Sequence, residues 1–370
     1  MKELRCIVFW GNINIHIYPL AAALSLRKQV YVIISRKLFT NRTERIPKYK
    51  ETETLKLLDI STFETLDEIL SLFDNDYTLQ INGRLRRTNH YCSKAMKKLL
   101  KNNACVFSLP QEGFQFQGLK KFINTLKWSF VINIVNHKIR AFGLTGDNAF
   151  KDFRKIGCNT TKCFPFMYVT APPTIIDIKE HVVYKVIFVG AIEDRKNIRP
   201  IIKTLINNPI QTPYEFHIYG GYGDEESFNK LIEKSSNFFY HGIVPNEKIR
   251  QAMLDSDLLI LPSLYDGYGA VVNEGLQCGC KILVSDKCGS EFLIKLHEPK
   301  LGRVFKATDL SDFKIKFEEI IKEGILTKKE KEYIMNWSAA HISPTIIADY
   351  LLKMIDYFEF EQKYPFIPWK

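Results

Sequence analysis

The segment Leu261-Pro262-Ser263-Leu264-Tyr265-Asp266-Gly267-Tyr268-Gly269-Ala270-Val271-Val272-Asn273-Glu274-Gly275 places two carboxylates, Asp266 and Glu274, around a glycine loop. An apolar run ends at Pro262, the loop follows, and a helix is expected from near Ala270. A helix start offers unpaired N–H groups and the positive end of the peptide dipole, which suits a phosphate. Asp266 stands before that start and Glu274 about one turn inside it. Both can accept hydrogen bonds from sugar hydroxyls, as an acid beside a ribose does in dinucleotide folds. A plain N-terminal charge is the simpler reading of Asp266.

Two further strings have related chemistry. In Phe188-Val189-Gly190-Ala191-Ile192-Glu193-Asp194-Arg195-Lys196-Asn197 a strand enters a glycine turn and two cations follow. Arg195 as a bidentate fork and Lys196 as a point charge can hold a diphosphate; a solvated loop pair is the alternative. In Tyr219-Gly220-Gly221-Tyr222-Gly223-Asp224 the glycines allow close backbone approach to an anion or a base, or make an ordinary turn.

The elements that position these strings alternate. Strands are expected at Cys6–Trp10, Val30–Ile34, Thr78–Ile81 and Ala104–Ser108, with a helix at Pro19–Leu26. Residues 160–183, with Pro165, Pro172 and Pro173, have the composition of a linker. A second series follows, with strands at Val186–Val189, Glu215–Tyr219, Leu258–Leu261 and Lys281–Val284. Its helices are expected at Ile198–Ile206, Glu225–Lys234, Glu247–Asp255, Val272–Cys278 and Asp309–Glu323. Strand-helix alternation predicts an α/β protein of two doubly wound, Rossmann-like domains, and ligands in such sheets bind at the carboxyl ends of strands.

On these motifs, residues 186–305 resemble the C-terminal domain of the retaining glycosyltransferases of family four, the bacterial lipopolysaccharide, capsule and sucrose type. Their signature, an acid, seven residues and a glutamate, with Gly-aromatic-Gly able to follow the acid, matches Asp266 to Glu274. Leu258–Ser263, Gly275–Ile282 and Ser285–Phe292 fit the same pattern, and Trp337–Phe358 resembles the family's last helices. The resemblance implies the GT-B fold: an acceptor-binding domain at 1–170, a nucleotide-sugar domain at 171–340 and a C-terminal helix and tail, 341–370, returning to the first domain. It implies that Lys196 binds the donor diphosphate, Glu274 the ribose and Asp266 the sugar hydroxyls, and that backbone N–H groups of Ala270, Val271 and Val272 touch phosphate or sugar. Gly190, Gly220, Gly267, Tyr268 and Gly269 complete the expected donor side, and Arg195 joins Lys196 and Asp266 as catalytic. Gly11, Asn12, Gln111 and Glu112 are the expected acceptor side. The chain departs from the family in having Asp266 where a glutamate is usual and Ala191 where an arginine usually follows the first glycine.

Charge is divided unevenly. Residues 1–170 hold 27 Lys and Arg against 13 Asp and Glu, and residues 171–370 hold 25 against 28. A basic first half attracts a polyanion: nucleic acid, an anionic membrane face or a phosphorylated acceptor. Residues 119–142 set Leu119, Phe122, Ile123, Leu126, Phe130 and Ile134 at helical spacing among Lys120, Lys121, Lys127, Lys138 and Arg140, a basic amphipathic pattern that suits a membrane surface or an ordinary packed helix. No apolar run reaches the roughly 18 residues that cross a bilayer, and no secretory signal is apparent. The eight cysteines and eight histidines lack metal spacing, so free thiols in a reducing cytoplasm and no metal are expected.

The expected activity is transfer of a sugar from a nucleotide-diphosphate sugar, a UDP-sugar ahead of a GDP-sugar, to a glycan or lipid-linked acceptor in surface polysaccharide synthesis. It would need no other cofactor, with the protein cytoplasmic or peripheral on the inner membrane face. An inactive sugar-nucleotide-binding scaffold is the alternative, and a basic nucleic-acid-binding protein a weaker one, since no aromatic-basic module is present. An epimerase or phosphorylase can share the architecture, but the acid-to-glutamate string favours the transferase. A dehydrogenase would require Gly-x-Gly-x-x-Gly, which Gly11-Asn12-Ile13-Asn14 does not supply.

Overall fold

The computed structural model describes residues 3–11, 14–35, 49–73, 78–85, 90–114, 118–221 and 225–370. They form two units, Met1–Ala171 with Ser343–Pro368, and Pro172–Ile342 with Trp369–Lys370.

Unit 1 is built on β1 (Cys6–Trp10), β2 (Gln29–Ile34), β3 (Leu55–Asp59), β4 (Thr78–Ile81), β5 (Cys105–Gln111), β6 (Ala141–Thr145) and β7 (Cys163–Phe166). All pairs are parallel, in the order β3-β2-β1-β4-β5-β6-β7. Strands covered on both faces read as unbroken apolar runs rather than alternating ones, and every residue of β1 is buried. Residues 163–166 were expected to be linker. They are the edge strand instead, where Pro165 is tolerated because an edge position can dispense with a ladder donor.

The helices of unit 1 are α1 (Ile17–Ser25), α2 (Leu66–Ser71), α3 (Tyr91–Lys101), α4 (Gly118–Val135) and α5 (Gly146–Lys155). The chain's last helix, Pro344–Phe360, belongs to this unit too. Proline at its first turn suits a helix start, where its missing N–H would have no partner. It packs on α1 through Arg27, whose Nη1 lies 2.9 Å from an Asp349 oxygen, and sets the Phe358 ring 5.7 Å from that of Phe107.

Helix α4 departs from the simple packed reading. It buries Ile132 and Val135, while Phe122, Leu126 and Phe130 are 63%, 57% and 69% exposed. No helix among the described residues is long and apolar enough to cross a membrane.

Unit 2 repeats the design with β8 (Tyr184–Val189), β9 (Tyr214–Tyr219), β10 (Phe238–Gly242), β11 (Leu258–Leu261), β12 (Lys281–Ser285) and β13 (Gly302–Phe305), in the order β10-β9-β8-β11-β12-β13. The connecting helices are α6 (Ile198–Asn207), α7 (Glu225–Ile232), α8 (Asn246–Leu254), α9 (Val271–Gln277), α10 (Glu291–Lys295), α11 (Leu310–Lys322) and α12 (Lys328–His341). Thr327 opens α12 with a capping box, its hydroxyl accepting from Glu330 N–H while the Glu330 carboxylate accepts from Thr327 N–H. The strand order reverses between β8 and β11, and the loops leaving their carboxyl ends carry Lys196 and Asp266.

Candidate functional site

The three glycine-bearing loops of unit 2 meet through backbone. A side chain at Gly220, where φ is +136°, would place its Cβ 1.9 Å from the Gly190 carbonyl oxygen, so the loops after β8 and β9 touch only because residue 220 is a glycine. Gly190 N–H donates to Tyr219 O at 3.0 Å and Gly220 N–H to Gly242 O at 2.8 Å. Gly289, after β12, plays a matching part. Its Cβ would fall 2.1 Å from Gly267 O, and its N–H donates to Asp266 O at 3.0 Å. Asp266 N–H in turn donates to Lys287 O at 3.1 Å. The backbone of Asp266 is thus fixed from both sides by the loop after β12.

Those constraints bring together side chains 70 residues apart in sequence. Lys196 Nζ donates to Asp266 Oδ2 at 2.5 Å, with only 13% and 14% of the two side chains exposed. Arg195 Nη1 lies 3.7 Å from the same oxygen and 3.4 Å from Tyr265 O, and Arg195 Nε lies 3.6 Å from Glu193. Arg195 and Lys196 were expected as anion holders and Asp266 as a separate sugar contact. The structure joins them, with Glu193, in one cluster of two cations and two carboxylates. Lys196 is poised by a short turn, Asp194–Lys196, closed by Asn197 in the left-handed conformation before α6 begins.

Glu274 lies one turn into α9 as expected. Its partner was not foreseen: Arg250 on α8 puts Nη2 3.3 Å from Glu274 Oε1. Burial raises the Glu274 pKa above its ordinary value, and the guanidinium opposes that shift. Tyr268 was expected among the donor-side residues. The ring is 1% exposed and its hydroxyl bonds Asn273 at 2.8 Å, so this side chain packs the loop and only its backbone can face a ligand. Val272 N–H donates to Gly269 O at 3.0 Å within the turn, and Gly269 has φ of +86° with Leu261 and Ser290 against it. Ala270 and Val271 open α9 beside Gly267 and Gly269. Tyr222, Gly223 and Asp224 lie outside the described residues.

Unit 1 has a cavity of about 330 Å³ at the carboxyl ends of β1, β4, β5 and β7. Gly11 lines it; Asn12 lies outside the described residues. Gln111 does not line it: its amide is buried and donates to Gly83 O at 2.8 Å and Ser108 Oγ at 3.2 Å, holding neighbouring strand ends together. Glu112 reaches the cavity indirectly, accepting the hydroxyl of lining Tyr168 at 2.8 Å. Trp10, His16, Arg84, His90 and Tyr168 were missed as cavity residues. They come from three connections far apart in sequence, β1 to α1, β4 to α3 and the stretch after β7, and no local spacing relates them. Gly289 could have been found, since it falls in the Ser285–Phe292 stretch already matched to a family pattern.

Residues 178–337 match the family model described as Glycosyl transferases group 1. The segment includes the Lys196, Asp266 and Glu274 loops. One curated relative, the O-antigen chain mannosyltransferase B of Escherichia coli, is 26% identical over 107 residues, a stretch spanning 27% of this chain and 28% of the relative. Over the whole chain, the UDP complex of Anabaena Alr3699/HepE superposes with a TM-score of 0.67 at 11% identity, covering 95% of this chain and 99% of that one. The lipopolysaccharide outer core galactosyltransferase WaaB, in its apo form, gives 0.63 at 14% identity, covering 96% and 99%. The fold is that of the GT-B glycosyltransferases, two Rossmann-like domains each on a parallel sheet.

Proposed function

We propose that this protein is a retaining glycosyltransferase that moves a sugar from a nucleotide-diphosphate sugar to a glycan or lipid-linked acceptor in surface polysaccharide synthesis. The observation that carries the reading is the convergence of Lys196, Arg195 and Asp266 where the Gly190 and Gly220 loops close together, within the segment matched by the group 1 model. A departing nucleoside diphosphate gains negative charge as the glycosidic bond breaks, and fixed cations stabilise that change. Lys196 and Arg195 have that role, Asp266 holds sugar hydroxyls and Glu274 the ribose. No side chain is assigned as a nucleophile; retention is proposed from the family resemblance, by attack on the face that the leaving group vacates. UDP in the HepE complex favours a UDP-sugar donor, and no further cofactor is required.

A peripheral membrane position on the inner face fits the basic first half and the apolar surface of α4, with an anionic leaflet as partner. The second reading, a scaffold that binds sugar nucleotides without turnover, rests on Ala191 standing where the family's arginine is usual and on the Lys196–Asp266 ion pair, which a diphosphate must loosen. The deciding experiment is UDP release from a panel of UDP-sugars with lipid-extract acceptors. Turnover supports the transferase, tight donor binding without turnover supports the scaffold, and no binding of any nucleotide sugar rejects both.

A further inference from the structure

Four residues separate Cys158 from Cys163, and the fold of unit 1 sets their sulfurs 3.7 Å apart. Cys158 lies just past the end of α5. Gly157, with φ of +84°, lets the helix close there: Cys158 N–H donates to Phe153 O at 3.0 Å and Gly157 N–H to Arg154 O at 3.2 Å, the paired bonds of a Schellman motif. Cys163 opens β7, in register with Phe142 of β6.

The turn between them is pinned. Asn159 N–H donates to Asn136 Oδ1 at 3.1 Å, and Asn159 Oδ1 accepts Thr161 N–H at 3.1 Å. Lys162 Nζ donates to Asn136 O at 2.6 Å and to Ile139 O at 2.8 Å, which ties the turn to the connection between α4 and β6. Anchored backbone on both flanks therefore brings the sulfurs together, rather than the freedom of two side chains.

The pair differs chemically from the other thiols. The Cys163 S–H lowers the Cys158 pKa below the ordinary thiol value; burial opposes that and the Lys162 charge adds to it. Cys163, which keeps the shared proton, is raised. Burial holds the other six thiols above their ordinary value. Thiolate, not thiol, is the nucleophile in oxidation, and Cys163 leaves the pair partly exposed. A zinc site would need more ligands, and no group of three or more Cys, His, Asp or Glu among the described residues could hold a metal.

We infer that Cys158 and Cys163 are a modification site, a dithiol that hydrogen peroxide closes into a reversible disulfide. The Cys158 thiolate attacks one peroxide oxygen, the S–O bond forms, the O–O bond breaks, and hydroxide takes up a proton and leaves as water. Cys163 then gives up its proton and its sulfur attacks the sulfenic sulfur. The S–S bond forms, the S–O bond breaks, and hydroxide leaves with that proton as a second water. Two thiols lose two electrons and two protons, and one peroxide gains them. Side-chain rotation must bring the sulfurs from 3.7 Å to the roughly 2.0 Å of a disulfide. Nothing in this chemistry depends on the transferase reading.

The test treats the reduced full chain with stoichiometric hydrogen peroxide, alkylates it in denaturant and digests it with trypsin, which cuts after Lys155, Lys162 and Lys179. Alkylatable thiols should fall from eight to six, and peptides 156–162 and 163–179 should be joined by a disulfide that a dithiol reductant reopens. The pair should react faster than any other thiol by roughly tenfold or more. In Cys163→Ser the second step has no thiol, so Cys158 should stop at a sulfenic acid that dimedone traps. The wild-type peptide map is decisive whether or not that variant folds. Eight thiols surviving the treatment, loss spread evenly over all of them, a disulfide between any other two cysteines, or oxidation of the pair that the reductant does not reverse would each overturn the assignment.

Discussion

Lys196 and Asp266, 2.5 Å apart and mostly buried, neutralise one another before any donor arrives. A diphosphate that approaches Lys196 must draw its ammonium away from a carboxylate. Removing each partner therefore has a different signature. Lys196→Ala loses charge compensation that grows toward the transition state, so turnover should fall by on the order of 100- to 1,000-fold, more than donor affinity. Asp266→Asn frees Lys196 for the phosphate, so donor KM should fall while kcat also falls. Saturating-donor rates with circular dichroism on both variants provide the check. A folded Lys196→Ala enzyme within about threefold of wild type, a difference below about 1 kcal/mol, would refute its assignment.

Glu274 combines a proposed ribose contact with an unfavourable burial. Its folded pKa is raised, so the folded chain binds more protons than the unfolded chain as pH rises above the ordinary carboxylate value. The contribution to stability is complete below that value and is lost as pH climbs through the raised one. Glu274→Gln should therefore raise Tm at neutral pH and leave it unchanged near pH ~4. Glu274→Ala should weaken donor binding by roughly tenfold or more, since it removes an acceptor for a hydroxyl. Thermal melts at two pH values and donor calorimetry separate the effects; a Gln variant less stable at neutral pH would show that the Arg250 pair outweighs burial.

The alternation of apolar runs and helical spacing was enough to foresee two doubly wound sheets, because buried parallel strands such as Leu258–Leu261 are nearly continuous in hydrophobicity. Five strands were not foreseen: in β3, β7, β10 and β13 the apolar run is broken, by exposed Lys56, by Pro165, by exposed Phe239 and His241 and by an initial glycine, whereas β6, Ala141–Thr145, is buried throughout but short, with Gly143 at its centre. The loop glycines and the positions of Lys196, Asp266 and Glu274 were legible because motif spacing is local. Arg250 opposite Glu274 and the ring of cavity residues in unit 1 were not, because only the folded sheet brings them together. The α4 surface was legible as an amphipathic pattern, but not which of its sides faces solvent.

Histidine chemistry on the edge of the second sheet makes a separate pH prediction. His217 Nδ1 lies 3.0 Å from His241 Nε2, and His217 Nε2 lies 3.2 Å from Glu215. Burial lowers both imidazole pKa values; for His217 the Glu215 carboxylate opposes the shift and Lys185 adds to it, while for His241 the neighbouring His217 adds to it. Folded imidazoles with lowered pKa values bind fewer protons than their unfolded counterparts. Their contribution is full above about pH 6.5 and is lost as pH falls through the folded values. The melting temperature should decline across that range, and His241→Phe should flatten the decline while keeping a ring beside Tyr219, now 4.4 Å from His241 between centroids. Parallel Tm-against-pH curves for the two proteins would exclude this pair as a source of acid sensitivity.

Helix α4 supplies the last prediction. Phe122, Leu126 and Phe130 follow one another at four-residue spacing, so they share a face, and that face is in solvent. Ile132 and Val135 meet the packing requirement of the helix from its other side. A soluble unit with no use for the exposed face would place polar residues there, because each large apolar side chain left in water forgoes about 1.5–3 kcal/mol of burial. Lys127 lies in the same stretch, and the first half of the chain is strongly basic, which adds attraction of roughly 1 kcal/mol for each cation near an anionic leaflet. The purified protein should float with vesicles containing phosphatidylglycerol, bind neutral phosphatidylcholine vesicles more weakly, and lose the difference as salt is raised. Phe122→Ser with Phe130→Ser should reduce vesicle binding by tenfold or more at any salt, while donor binding in unit 2 is retained. A double variant that still floats like wild type would assign vesicle binding to surface charge alone, and equal recovery on neutral and anionic vesicles would remove the electrostatic part.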